Sequence, residues 1–253
     1  MASTHPTLTV FRDRNDQGAY TWSPFVAKLE ARLRFSHLPY TTQAGTLTAS
    51  PKGKLPYVRI EEENGQSLLL SDSALITKAL IKSGAIADLN ADLSPSEAAT
   101  DLSIRALLED KLYFLNGHER WISNFYTMRD VGPLSTIPYL PRLLIGQIVY
   151  GKISRTLHGQ GTGRYSPAEI AALKLETWGA LDALVGEGWV LGGKGPTEAD
   201  ASLFGFLESR DEGDSAGAPE LDGFCGESAY GVFFGLFEVG LNGLSPSMLP
   251  KPR

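Results

Sequence analysis

Ser50-Pro51-Lys52-Gly53-Lys54-Leu55-Pro56-Tyr57-Val58-Arg59-Ile60 is the stretch that decides the fold. Pro51 and Gly53 mark a loop. Leu55-Pro56 leads directly into Tyr57 to Ile60, whose alternation reads as a strand. Asn64-Gly65 is a hairpin signal, because a tight turn of that type needs residues that tolerate positive φ. Leu68 to Leu70 then forms the returning strand. Asp72-Ser73 opens a short helix, Ala74 to Ile81, which Gly84 closes.

Working back from that hairpin, Thr7 to Phe11 is a strand rich in β-branched residues. Ser23-Pro24 opens a helix: Ser suits the N-cap, and Pro suits the first helical position, where no N–H is needed. Val26, Leu29 and Leu33 follow at helical spacing. His37-Leu38-Pro39 ends the helix, and Tyr40 to Gln43 reads as a second strand. The order is strand, helix, strand, hairpin, helix. That is an α/β, thioredoxin-like plan for residues 1–90.

Beyond it the pattern is helical. Ser94-Pro95-Ser96-Glu97 is a capping box, with Ile104, Leu108, Leu112 and Leu115 behind it on one long helix. Ser166-Pro167-Ala168-Glu169 repeats the device before Ile170, Leu173, Leu181 and Leu184. Thr197-Glu198-Ala199-Asp200 caps a third helix running through Leu203 and Phe204 to Leu207. Residues 94–207 are therefore expected to form an all-α domain. Residues 208–253 differ. They hold 8 glycines in 46 residues and carry −5 of the net charge of −6. They read as a divergent, glycine-rich acidic tail, the least ordered region expected.

Composition narrows the function classes. The hydrophobic fraction of 42% is ordinary for a protein with a packed core. A net charge of −6 argues against nucleic acid as a partner. Cys225 is the only cysteine, so no internal disulfide forms, and His5, His37, His118 and His158 lack metal-ligand spacing. No metal is expected. The N-terminus shows no secretory signal. Tyr230 to Leu241 falls short of the ~17 residues a membrane span needs, so no integral membrane segment is expected.

Leu55-Pro56-Tyr57 before a hairpin, with Asp72-Ser73-Ala74 at the following helix, resembles the glutathione-binding half of the glutathione S-transferase superfamily. Thr197 to Asp200 is similar to the capping box of that family's helical domain. Ser23-Pro24-Phe25, Lys28-Leu29-Glu30, Leu112-Tyr113, Glu119-Arg120-Trp121 and the run His158 to Glu169 resemble its metaxin-like branch, the failed axon connections proteins. The resemblance spans roughly Thr7 to Leu207. It implies a thioredoxin-like N-terminal domain followed by an all-α C-terminal domain. It implies glutathione as co-substrate, a cis Leu55-Pro56 bond whose backbone pairs with the tripeptide, and an Asp72-Ser73 pair that receives the γ-glutamyl group. It also implies a small electrophile as second substrate, a homodimer, and a cytoplasmic location or, on the second reading, the mitochondrial outer-membrane surface.

One departure matters for chemistry. The branch commonly carries cysteine after Ser-Pro-Phe, and here that residue is Val26. A thiol–disulfide mechanism is excluded there. Ser23, at the mouth of the first helix, is the candidate thiolate stabiliser, with Tyr20 and Thr21 as neighbouring hydroxyls. A helix cap alone also explains Ser23. With Leu55, Pro56, Asp72 and Ser73 holding glutathione, weak binding and low turnover are expected. The alternative is a non-catalytic binding or interaction protein that kept the fold. The basic stretch Arg142, Lys152, Arg155 and Arg164, with no acid between Val131 and Ala168, reads as attraction to an anionic ligand or membrane surface, or as a solvated face.

Overall fold

The computed structural model describes residues 7–13, 21–61, 66–184 and 188–211. The Asn64-Gly65 turn, Tyr20 and the tail beyond Asp211 lie outside the described residues.

Four strands form one mixed sheet: β1 (Thr7–Arg12), β2 (Thr41–Ala44), β3 (Tyr57–Glu61) and β4 (Ser67–Ser71), in the order β2-β1-β3-β4. β1 runs parallel to β2 and antiparallel to β3, and β3 is antiparallel to β4, as the hairpin reading requires. The register sets Val10 opposite Val58, and Val58 opposite Leu70. Side chains alternate between faces along a strand. One face therefore collects Leu8, Val10 and Val58 against Leu29 and Leu33 of α1 (Pro24–Phe35) and Ile76 and Leu80 of α2 (Ser73–Lys82). The opposite face stacks Phe11 on Tyr57, with ring centroids 4.4 Å apart. Gly45 sits against that stack: a Cβ there would lie 2.9 Å from both Phe11 Cβ and Leu55 Cδ2.

The rest of the described chain is helical. α3 (Pro95–Ala106) begins at the Ser94 capping box, complete with its reciprocal Glu97 bond. It runs without a break into a π-helical turn (Leu107–Leu112), α4 (Tyr113–His118), a second π-turn (Glu119–Ser123) and α5 (Phe125–Asp130). The long helix expected from Ile104, Leu108, Leu112 and Leu115 is thus a rod with two widened turns, and those four residues are buried. α6 (Tyr139–Gln160), α7 (Pro167–Leu184) and α8 (Glu198–Asp211) complete it. Ser166 and Glu169 form their expected box. Leu184, placed on the apolar side of α7 by its spacing, is 44% exposed.

The sequence reading did not foresee α6. It begins at Pro138 without any side-chain cap, and its apolar residues occur all round the helix, so neither a start signal nor a stripe announces it.

The two halves are joined by α1 against α8. Gly205 allows the contact, because a Cβ there would sit 2.3 Å from Pro24 O and 2.7 Å from Lys28 N. Arg32 is fully buried, with Nε 2.6 Å from Glu198 Oε1 and further bonds from its guanidinium to Ser36 Oγ and Ala87 O. Lys28 donates to Glu109 Oε1 at 2.6 Å, and the Ser202 hydroxyl donates to the same oxygen. Buried charges persist only where they are paired and hydrogen-bonded.

Candidate functional site

α1 starts where the sequence places it, with Pro24 in its first turn, but the cap differs. The Ser23 side chain makes no hydrogen bond to the helix amides. Its backbone carries the start: the carbonyl accepts from Val26 and Ala27, and its N–H donates to Thr21 Oγ1 at 3.2 Å. Ser23 has ψ 112°, whereas Ser94, which does cap, has ψ 160°. Capping therefore does not account for the Ser23 hydroxyl, and this half-buried group sits at the mouth of α1.

Thr21 is otherwise engaged. It is 1% exposed and its hydroxyl donates to Asp13, whose other carboxylate oxygen accepts the Trp22 N–H at 2.9 Å. Asp13 thereby fixes the segment that leads into Ser23. Val26, which stands where relatives carry cysteine, points into the core and is fully buried.

The second component is the loop before β3. Leu55-Pro56 is cis, as the resemblance implies. The Ser50 hydroxyl holds the loop: it donates to Lys54 O at 2.6 Å and lies 3.0 Å from Ser71 Oγ. The Pro56 carbonyl accepts from Asp72 N–H at 3.2 Å, which joins the loop to the start of α2.

Asp72 is the N-cap of α2 and has φ +82°, a conformation uncommon outside glycine. Its Oδ1 accepts the N–H groups of Ala74 and Leu75, and its Oδ2 lies 2.8 Å from Lys54 Nζ. Burial opposes its charge, but the Lys54 bond, the two amides and the Lys54 charge outweigh burial and hold the carboxyl below its ordinary value. The sequence reading gave this helix end unpaired amides for a carboxylate, and two of them are already taken by Asp72 itself. Ser73 follows as the first helical residue, 4% exposed.

The third component went unassigned in the sequence. Tyr113 opens α4, directly after the first π-turn, and its ring lies 5.1 Å from Phe25. Phe25 in turn meets the Phe206 ring edge-on at 6.0 Å. Burial raises the Tyr113 phenol above its ordinary pKa, and the charges of Arg120 and Lys54 pull partly against that. The phenol therefore faces a lysine of the strand half and an arginine of the second π-turn. Arg120 donates to Trp22 O at 3.1 Å and to Ser209 O, tying the approach to Ser23 onto the end of α8. Leu112-Tyr113 and Glu119-Arg120-Trp121 were visible as motifs, but only the folded chain brings them beside Ser23.

The structure thus brings two groups to one cleft between the halves. Ser23 lies beside Phe25, which touches Tyr113. Leu55, Pro56, Asp72 and Ser73 connect through Lys54 to the same tyrosine. The basic stretch does not join them. Arg142 braces the turn before α6 through Ile137 O and Ser135 O, and Arg164 bonds His158 O.

The Glutathione S-transferase N-terminal domain family matches residues 24–128. The chain is 31% identical over 199 residues to the isoprene-epoxide glutathione S-transferase of Rhodococcus sp. (strain AD45), covering 73% of this chain and 79% of that one. A glutathione transferase from Phanerochaete chrysosporium superposes with a TM-score of 0.59 at 14% identity, over 92% of this chain and 98% of that chain. A glutathione S-transferase of Ceriporiopsis subvermispora, solved in complex with glutathione, gives 0.55 at 17% identity, over 95% and 99%. The fold is that of a transferase of this type, a four-stranded mixed sheet followed by a helical half. The chain belongs to the glutathione S-transferase family.

Proposed function

We propose that this protein conjugates glutathione to a small electrophile, with Ser23 stabilising the thiolate. The observation that carries the reading is the Ser23 hydroxyl, which sits at the N-terminus of α1 and is not spent on capping that helix. A thiol of the cysteine type titrates near about 8.5 and is mostly protonated at neutral pH. A hydroxyl bond to the charged form contributes about 1.5–3 kcal/mol, and a helix N-terminus about 0.3–1 kcal/mol. Together they bring such a thiol into the neutral range. Leu55 and Pro56 offer backbone to the tripeptide, and Asp72 and Ser73 take its γ-glutamyl end. The thiolate sulfur then attacks the electrophile in the space bounded by Phe25 and Tyr113. An epoxide is the first electrophile to try, since that is the substrate named for the Rhodococcus relative.

A second reading has its own support. Asp72 already satisfies two amides of α2 and an ion pair with Lys54. A site so occupied suits a binding protein of the metaxin-like, failed axon connections branch that kept the fold without turnover.

One set of measurements separates the readings. Calorimetry with glutathione on wild type and Ser73→Ala tests the tripeptide site, and an epoxide conjugation assay on wild type and Ser23→Ala tests chemistry. Binding weakened by Ser73→Ala, with turnover lost in Ser23→Ala, supports the transferase. Neither binding nor turnover in the wild type supports the second reading. Turnover fully kept in Ser23→Ala removes Ser23 from the mechanism.

A further inference from the structure

α6 is 22 residues long, yet only Gly146 and Leu157 within it are buried among the described residues. Leu140 is 76% exposed, Leu144 68% and Ile148 61%. Residues four apart share a helix face, so these three form one apolar row. Tyr139 stands exposed at its start. The row runs on into Lys152 and then Arg155, both exposed. Arg155 bonds only along its own helix, to Gly151 O. No Asp or Glu occurs between Val131 and Ala168, in a chain whose net charge is −6.

A helix apolar round its whole circumference belongs in an interior, and this one is on the surface. No helix among the described residues is long and apolar enough to cross a membrane. A second copy related by a two-fold axis would bring this same acid-free face against itself, leaving Lys152 and Arg155 no carboxylate to meet. An anionic lipid surface complements both parts of the helix. The acyl boundary accepts the leucine row, and the headgroups accept the cations.

We propose that α6 seats this protein on an anionic membrane surface, with Leu140, Leu144 and Ile148 at the acyl boundary and Lys152 and Arg155 against the headgroups. The inference is independent of the chemistry at Ser23. A lone surface helix binds reversibly, so the protein partitions between water and membrane.

Flotation of the full chain with vesicles tests it, comparing phosphatidylcholine alone with phosphatidylcholine plus phosphatidylserine at low and high salt. The wild type is expected to float with the anionic vesicles, to be released by salt, and to stay behind with the neutral ones. Each of Lys152→Gln and Arg155→Gln lowers partitioning about five-fold, the equivalent of about 1 kcal/mol per basic residue at such a surface. Leu144→Gln with Ile148→Gln abolishes flotation, while circular dichroism and the unfolding midpoint stay unchanged. A wild type that ignores anionic vesicles, or floats equally with neutral ones, overturns the proposal. So does equal flotation of the variants. A dimer in sedimentation that the Leu144/Ile148 pair dissolves makes α6 an interface between copies instead.

Discussion

α1 and α6 are both long helices, and they are built to opposite specifications. In α1 nine of twelve residues are buried, including Lys28, Glu30 and Arg32. In α6 the buried residues number two of twenty-two. α1 puts charge into the interior and pairs it there, while α6 leaves leucine in solvent. The contrast separates two demands on a sequence. A helix shared by two cores is fixed by what touches it on every side. A helix on the rim is free to serve something outside the molecule.

The contrast breaks most visibly at Arg32. Arg32→Ala removes one partner of a buried ion pair and is expected to cost about 3–5 kcal/mol, read as a shift in the urea midpoint. A loss under about 1 kcal/mol would mean that the α1–α8 contact does not rest on this pair.

Gly205→Ala comes next. Its Cβ meets the α1 backbone rather than a flexible side chain, so the two helices must separate. A cost of about 1–3 kcal/mol is expected, as for overpacking generally. An unchanged denaturation curve would show that α8 has room to shift.

A smaller, pH-dependent effect is expected at His118. It is 4% exposed, and its Nδ1 lacks a hydrogen-bond partner. Burial lowers its pKa, with the Glu119 charge acting in the opposite sense. The folded state therefore takes up a proton less readily than the unfolded chain. Stability is complete above the ordinary histidine value, near about 6.5, and falls as pH drops below it. His118→Gln should flatten the unfolding midpoint over that window. An identical slope in wild type and variant would locate the acid sensitivity elsewhere.

The smallest effect is expected where the surface helix is changed. Leu144→Gln should alter stability by no more than about 0.5 kcal/mol, as exposed substitutions usually do. A large loss would mean that α6 is part of the core after all, and would sharpen the comparison by erasing it.

The strand half was legible because its signals are local. Pro51, Gly53, Leu55-Pro56 and Gly84 punctuate the chain at the points where the backbone turns. Asp72 was legible as a helix start, but its partner Lys54 lies eighteen positions away in sequence and only the fold brings them together. Ser23 was legible as an N-cap by residue type, while the direction of its hydroxyl depends on a ψ angle that residue type does not set. The leucine spacing from Ile104 to Leu115 suits an ordinary helix and a widened one alike, so the π-turns were invisible. Tyr113 and Arg120 join the cleft only because two chain segments about a hundred residues apart meet there.

Those widened turns bear on how the cleft tolerates insertion and deletion. Leu107–Leu112 ends immediately before Tyr113, and Glu119–Ser123 contains Arg120. A π-turn amounts to one residue inserted into an α-helix, and such turns concentrate at functional positions. Deleting one residue from the first would restore a regular helix at little local cost. It would also rotate everything downstream by about 100°, the turn per residue of an α-helix. Tyr113 would swing off Phe25, and Arg120 would lose Trp22. The azimuth of the whole acceptor wall is thus encoded by chain length, in a segment where every individual side chain could be replaced without disturbing it.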